Sequence, residues 1–401
     1  MSIPWFFRCP ISLDLFTDPV TLSTGQTYDR PSIERWLAEG HYTCPVTMQR
    51  LNDTSLVPNH TLRHLIDRWL LTGHETKSKP INFINSLAAL KLNIQSAETS
   101  IETKLEALKK VRILSMESDN GQASLIQLGF FPLLLDFLFQ TPQLTTTTTT
   151  TYPELFIEVA LDCILSLSPE KHSEFLNILK NESCLASLGI MLDQGNVKIK
   201  TCLCTLIETI ASSPVTRQVC LAMGQSQKVL QVLVSLLCSS TGIWAMEAAV
   251  RAVYGICMLE ANRSNLVEEG AIDGLFSYLS CSVQRNASQA LASIEALLVV
   301  DAGRKSLLMN VNAVRVLVKM VFVVNSDHEA SEHAVGALLI MCCETMGVRA
   351  EAVNAGVLKQ LLLLLQSQCG VKAKAKARAL LKLLRSVWAE DPGVCNFYNA
   401  M

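Results

Sequence analysis

The chain has little of several things that mark common functional classes. Charged residues fill only 17% of its 401 positions, and 34 Lys and Arg stand against 36 Asp and Glu, for a formal charge of -2. Nucleic-acid binding needs a basic excess, so nucleic acid is not an expected partner. No apolar run reaches the about 18 residues of a membrane span, although the mean hydropathy is +0.29. The apolar surplus is therefore core, enough for about two to four domains. The opening Met1-Ser2-Ile3-Pro4-Trp5 lacks a basic stretch leading into an apolar run and a small-residue cleavage site. No secretory signal is expected, which places the protein in the cytoplasm, or in the nucleus as well. There is no Gly-rich phosphate loop with its Lys, no His-Glu-x-x-His and no Gly-x-Ser-x-Gly.

Cysteine is present but not as a framework. The 14 cysteines scatter through apolar segments, as at Cys202, Cys204, Cys238, Cys257, Cys342 and Cys343. They read as small core side chains in a reducing compartment.

Composition changes near Pro80. Residues before about 71 are punctuated by Pro and Gly among aromatic and β-branched runs, whereas everything after Pro80 is Leu, Ala and Val at helical spacing. The polar join from Thr72 to Pro80 contains Gly73, a helix stopper, and Pro80, a breaker. The expected division is a first domain over 1–73, a linker over 74–80 and a helical domain over 81–398.

The helical part repeats. An apolar-x-x-apolar opening recurs at Phe131, Leu185, Val229, Ile272, Val314 and Leu358, at separations of 54, 44, 43, 42 and 44. The long first interval holds a Thr-rich insert over 141–152, and removing about ten residues restores the period. A degenerate copy opens at Ile84, 47 residues before Phe131. Three helices fit each period, and the whole resembles the armadillo class of right-handed α-solenoid, with about six to seven repeats. The resemblance implies a concave binding surface lined by third helices, to which Gln231, Ser277, Lys319 and Gln360 are assigned. The last helix sets Lys374, Arg378, Lys382 and Arg385 on one flank and Leu380, Leu384, Val387 and Trp388 on the other. A terminal repeat needs a polar outer face, so capping accounts for the basic flank; a phosphate or an acidic partner is the alternative.

In the first domain, Val20 to Tyr28 reads as a hairpin turning at Gly25. A helix follows, with Asp29 as its cap, Pro31 in its first turn, Ile33, Trp36 and Leu37 on one face, and Gly40 at its end. A second amphipathic helix starts near Asn59 and is expected to bury Leu62, Leu65, Ile66 and Trp69. Two irregular loops flank this core, Cys9-Pro10-Ile11-Ser12-Leu13 and His41-Tyr42-Thr43-Cys44-Pro45-Val46-Thr47.

These residues carry a second resemblance. Ile3-Pro4, Phe7, Cys9-Pro10-Ile11-Ser12, Asp18-Pro19-Val20-Thr21, Thr24-Gly25, Thr27-Tyr28-Asp29-Arg30, Ile33, Trp36-Leu37, Cys44-Pro45-Val46-Thr47, Leu51, Pro58-Asn59, Leu62 and Leu65-Ile66 resemble the U-box, a small α+β, zinc-free relative of the RING domain. U-box followed by armadillo repeats resembles the plant class of E3 ubiquitin ligases. Zinc fails on the residues themselves. Two tetrahedral sites need eight ligands, and the segment offers Cys9, Cys44, His41, His60 and His64 without a Cys-x-x-Cys pair. Neither a metal nor another cofactor is expected. Asp14, Asp18 and Asp29 with Arg30, Arg35 and Arg50 are the candidate ion-pair network that replaces it.

The resemblance implies a ligase that docks a ubiquitin-charged conjugating enzyme (E2) and positions its thioester for a substrate lysine, with no covalent intermediate of its own. Its E2 contacts would be Ile11, Leu13, Trp36 and Pro45, and a protein substrate would lie in the solenoid groove. Pairing of two U-boxes is also compatible with it. Many members carry a basic residue after the second loop's Pro-Val-Thr; here it is Met48, with Arg50 the candidate bridge to ubiquitin. That departure motivates a second reading, a non-enzymatic adaptor. A cysteine relay through Cys9 or Cys44 near His41 would need an accessible, electropositive thiol.

Overall fold

The computed structural model describes residues 5–51, 53–66, 80–96, 98–117, 119–139, 154–238, 242–281, 285–323 and 328–389. The chain divides into two compact units, Met1–Ala89 and Leu90–Met401. The expected linker apart from Pro80, the Thr-rich insert, and the side chains of Trp69, Val387 and Trp388 lie outside the described residues.

In the first unit, strand β1 (Pro19–Thr21) pairs antiparallel with β2 (Thr27–Asp29) on one side and β3 (Val57–Pro58) on the other, with Val20 opposite Tyr28 and Pro58. The turn falls at Gly25, whose φ of +80° is strained for any residue with a Cβ. Side chains alternate across the sheet: Val20 and Tyr28 are buried on one face, while the hydroxyls of Thr21 and Thr27 meet at 3.0 Å on the other. Helix α1 (Arg30–Ala38) opens with Pro31 in its first turn. It lays Ile33, Trp36 and Leu37 against a core of Phe7, Cys9, Phe16, Val20, Tyr28 and Cys44.

Two expectations fail here. Asp29 stands at the N-cap position, but its side chain does not cap. Its Oδ1 accepts from the backbone N of Thr17 (2.8 Å) and Asp18 (2.7 Å), and its Oδ2 from the Thr17 hydroxyl (2.8 Å). Three donors from an earlier segment outcompete the helix's own first turn. In helix α2, described over residues 60–66, Asn59 caps the start by accepting from Leu62 N at 3.0 Å. Ile66 is buried and Leu62 half-buried, but Leu65 is 50% exposed, because one residue of helix rotates a side chain by about 100° from its neighbour.

Helix α3 (Pro80–Gln95) contains the division between the units. Beyond it, seven long helices stack in sequence: α4 (Ile101–Glu117), α7 (Glu154–Ser166), α9 (Val197–Ser212), α12 (Ile243–Met258), α15 (Ala287–Leu297), α18 (His328–Glu344) and α21 (Val371–Ala389). Shorter pairs lie between them: α5 (Asp119–Gln127) with α6 (Phe130–Phe139), the 3-10 turn Ser173–Lys180 with α8 (Glu182–Gln194), and α10 (Arg217–Gln225) with α11 (Gln227–Cys238). The series continues with α13 (Arg263–Glu268) and α14 (Ala271–Leu279), α16 (Asp301–Met309) and α17 (Ala313–Val321), and α19 (Met346–Asn354) and α20 (Val357–Gln366). The recurring apolar openings start the second member of each pair, where Phe131, Leu188, Val229, Leu275 and Leu317 are buried. Each unit is thus short helix, apolar helix, long helix. Gln231, Ser277, Lys319 and Gln360 therefore sit on second helices (α11, α14, α17, α20), not on the third. A periodic pattern is cyclic, and its spacing does not say which helix opens the unit.

The long-helix stack is tightened by one absent side chain. A Cβ on Gly336 of α18 would collide with the Glu295 carboxylate of α15, which lies over that glycine. Glu295 thereby reaches His333 Nδ1 at 2.7 Å and Lys376 Nζ of α21 at 2.8 Å, tying three successive long helices. Burial alone would push its pKa up, but these two donors outweigh it and hold the carboxyl below the usual range.

Candidate functional site

Two loops of the first unit are built on one plan. In the first, Cys9 N donates to Asp14 O and Leu13 N to Cys9 O, both at 2.8 Å; in the second, Cys44 N donates to Gln49 O and Met48 N to Cys44 O, again both at 2.8 Å. Each loop is flanked by an isolated antiparallel bridge, Arg8 with Leu15 and Thr43 with Arg50. The sequences match position by position, Cys-Pro-Ile-Ser-Leu-Asp and Cys-Pro-Val-Thr-Met-Gln. Leu13 and Met48 occupy the same place in their loops and share a left-handed backbone, φ +62° and +58°. That conformation is uncommon for residues with a Cβ and persists only where the surroundings hold it.

The two cysteines fasten the loops. Both are fully buried. Cys9 Sγ accepts from Asp29 N at 3.3 Å. Cys44 Sγ lies 3.4 Å from the Thr24 hydroxyl and 3.0 Å from the Tyr28 hydroxyl, which in turn accepts from Val46 N at 3.2 Å. Strand β2 thus serves both loops, through Tyr28 to one and Asp29 to the other. Burial opposes ionisation of the Cys44 thiol, but hydrogen bonds from Thr24, Thr47 and Tyr28 outweigh it and bring its pKa down to about 6. Burial and the bond to Cys44 push the Tyr28 phenol well above its ordinary value, so Tyr28 remains a donor. Among the described residues no three His, Cys, Asp or Glu side chains are grouped to hold a metal.

The expected ion-pair network forms in part. Arg30 Nε meets Asp18 Oδ2 at 2.6 Å, and Arg63, not foreseen, reaches Asp18 Oδ1 at 3.4 Å. Asp29 is committed to Thr17 and Asp18. Asp14, Arg35 and Arg50 make no ion pair among the described residues.

The expected contact residues stand as follows. Ile11 and Trp36 are half-buried and pack on the core that also holds Cys9 and Cys44. Trp36 Nε1 donates to Thr43 O at 2.9 Å and its ring lies 4.3 Å from that of His41, so it braces the entry to the second loop while leaving one edge open. Pro45 is half-buried. Leu13 is 66% exposed, and Met48 (73%) and Val46 (51%) project similarly. Arg50 is exposed opposite Thr43. Val46 and the structural roles of Thr24 and Tyr28 were missed in the sequence; the repeated Cys-Pro-aliphatic-hydroxyl-apolar string was the available signal for Val46, the counterpart of Ile11.

Comparison with known proteins agrees with this geometry. The U-box domain family matches residues 3–75, and the plant U-box protein ARM repeat region matches residues 88–398. U-box domain-containing protein 26 of Arabidopsis thaliana is 32% identical over 98% of this chain and 94% of its own. E3 ubiquitin-protein ligase PUB23 of the same plant is 31% identical over 98% of this chain and 95% of its own. A solved structure from work on the interaction between cadherin and beta-catenin aligns with 75% of this chain and 55% of its own at 15% identity and a TM-score of 0.60, a likeness of fold.

Proposed function

Taking as premise that the chain belongs to the plant U-box/armadillo-repeat E3 ubiquitin ligases, we propose that its two cysteine-fastened loops are the docking face for the charged E2. The observation that carries this is the contrast between the fully buried Cys9 and Cys44 and the solvent-facing Leu13, Val46 and Met48. A thiol sealed in the core cannot take ubiquitin from an E2, so the enzyme works by positioning. In the transfer step the substrate amine attacks the E2–ubiquitin thioester carbonyl, the isopeptide bond forms, and the E2 thiolate leaves. The ligase supplies proximity and orientation.

Ile11, Leu13, Trp36 and Pro45, with Val46 and Met48, form the apolar contact set, and Arg50 is the bridge to ubiquitin. A few apolar side chains on a small face suit a weak, exchanging partner, with less than about 1,200 Å² buried. The stacked long helices recruit the protein substrate. Free cysteines throughout the described residues suit the cytoplasm or nucleus.

The test is a ubiquitination reaction with E1, a panel of E2s, ubiquitin and ATP. The wild-type protein forms chains or modifies itself, and Ile11→Ala abolishes this while circular dichroism stays unchanged. A folded wild-type protein silent with every E2 would return the adaptor reading.

A further inference from the structure

Most charge pairs between successive repeats run in one sense. Lys198 of α9 reaches back to Glu158 (3.3 Å) and Asp162 (2.9 Å) of α7, and Arg251 of α12 to Glu208 of α9 (2.8 Å). His333 of α18 and Lys376 of α21 reach back to Glu295 of α15, and Lys376 also to Glu332 of α18 at 3.4 Å. On the second helices, Lys228 of α11 meets Asp193 of α8 at 2.6 Å. In all of these the earlier helix gives the carboxylate and the later one the donor. The first long-helix junction has the opposite sense, with Arg112 of α4 against Asp162 of α7 at 3.5 Å.

Helix α21 ends this series with the wrong sign for another repeat. It carries Lys372, Lys374, Lys376, Arg378, Lys382 and Arg385 and no carboxylate. Lys376 is engaged inward. The other five make no ion pair among the described residues, and Lys372, Arg378, Lys382 and Arg385 are exposed. Ala373, Ala377, Leu380 and Leu384 are buried against the solenoid. At 100° per residue the opposite, outward face has Val371, Ala375 and Lys382 within about 30° of its midline, with Arg378, Arg385 and Lys374 about 50–90° to one side and Ala379 and Lys372 about 50–70° to the other. From Lys374 to Arg385 the stripe runs about 17 Å.

We propose that this outward face docks an acidic protein segment, with carboxylates spaced along the stripe and its backbone close over Ala375 and Ala379. A second copy of α21 brings the same sign and is repelled. A bilayer would want the helix's apolar side, which is already buried in the solenoid. Phosphate backbones favour a basic protein, and this one has a net charge of -2. The carboxylate is also the group that the molecule itself uses against Lys and Arg at the inner junctions. The inference is independent of how the U-box meets its E2.

The test uses the full chain and a fluorescein-labelled helical peptide of alternating Glu and Ala blocks, read by anisotropy, beside its Gln counterpart, phosphatidylserine vesicles and oligothymidylate. The Glu peptide binds, the Gln peptide does not, and binding weakens as salt rises. Lys374→Glu, Arg378→Glu and Lys382→Glu together weaken it at least about tenfold, as expected for three exposed pairs turned repulsive, with self-ubiquitination and the melting curve unchanged. Absence of Glu-peptide binding, binding indifferent to the triple reversal, or tighter binding to vesicles or oligothymidylate would each overturn the proposal.

Discussion

Replacing Tyr28 by Phe removes one oxygen from a fully buried side chain and tests how the second loop is held. The hydroxyl donates to Cys44 Sγ at 3.0 Å and accepts from Val46 N at 3.2 Å, so both bonds disappear while the ring still fills its place. A hydrogen bond to a charged acceptor contributes about 1.5–3 kcal/mol, and an orphaned buried N–H costs about 1–3 kcal/mol. Val46 is half exposed, so water reaches its amide and reduces the second contribution. The expected local loss is about 2 kcal/mol, or roughly a thirtyfold rise in loop opening. Hydrogen exchange by mass spectrometry on the full chain reads it directly: the peptide containing Val46 exchanges about thirtyfold faster, while the peptide containing Leu13, held by Asp29 and Cys9, is unchanged. Ubiquitin discharge slows in parallel. Equal exchange in the two proteins would refute the assignment of Tyr28 as the second loop's fastening.

Cys44 is expected to make the first unit's stability depend on pH. Its folded pKa of about 6 lies below the ordinary 9.0 of a free thiol, so its contribution is full above about pH 9, falls as the pH drops, and is gone below about 6. Melting of the first unit is expected to weaken over that window, and Cys44→Ala to flatten that part of the profile. Gly336→Ala pushes the Glu295 carboxylate off its path to His333 and Lys376; the pairs are partly screened, so the solenoid loses about 1–3 kcal/mol, visible as a lower melting temperature. Because the Glu295 pKa is depressed, that contribution exists above its unfolded value and disappears as acid is added, so the wild-type and Gly336→Ala melting temperatures draw together as the pH falls below the ordinary glutamate range. Met48→Arg introduces a cation at an exposed site that already has φ +58°, leaves stability unchanged, and speeds E2–ubiquitin discharge about fivefold, the effect of about 1 kcal/mol from one exposed charge.

The parts legible in the sequence were those set by local rules. Repeat spacing after Pro80 was readable because each unit must bury an apolar face every 42 to 44 residues, and the hairpin because Gly25 interrupts a β-branched run. Long-range competition was not readable. Asp29 had the right place and chemistry for a cap, yet Thr17 and Asp18 claim its oxygens across a separation of 11 or 12 residues. Arg35 and Arg50 were plausible ion partners by sign alone, but Arg63, distant in sequence, is the one that joins Arg30 at Asp18. Of the proposed contact residues, Ile11 and Trp36 pack on the shared core, whereas in the second loop only Pro45 had been singled out from the Cys44-Pro45-Val46-Thr47 string, and Val46, more exposed than Pro45, was not. The order of helices in a unit was likewise hidden by the periodicity that revealed it.

Each of the two cysteine loops is knotted at its neck by the amide and carbonyl of one cysteine, and the exposed side chains lie beyond the knot. Side chains at positions 13, 46 and 48 can therefore be exchanged with little disturbance of the closure, since none supplies a side-chain bond to it. Such a layout separates what holds the shape from what meets the visitor. If these loops meet the E2 as proposed, changes at positions 13, 46 and 48 would alter the contact surface while the closure beneath them stays the same.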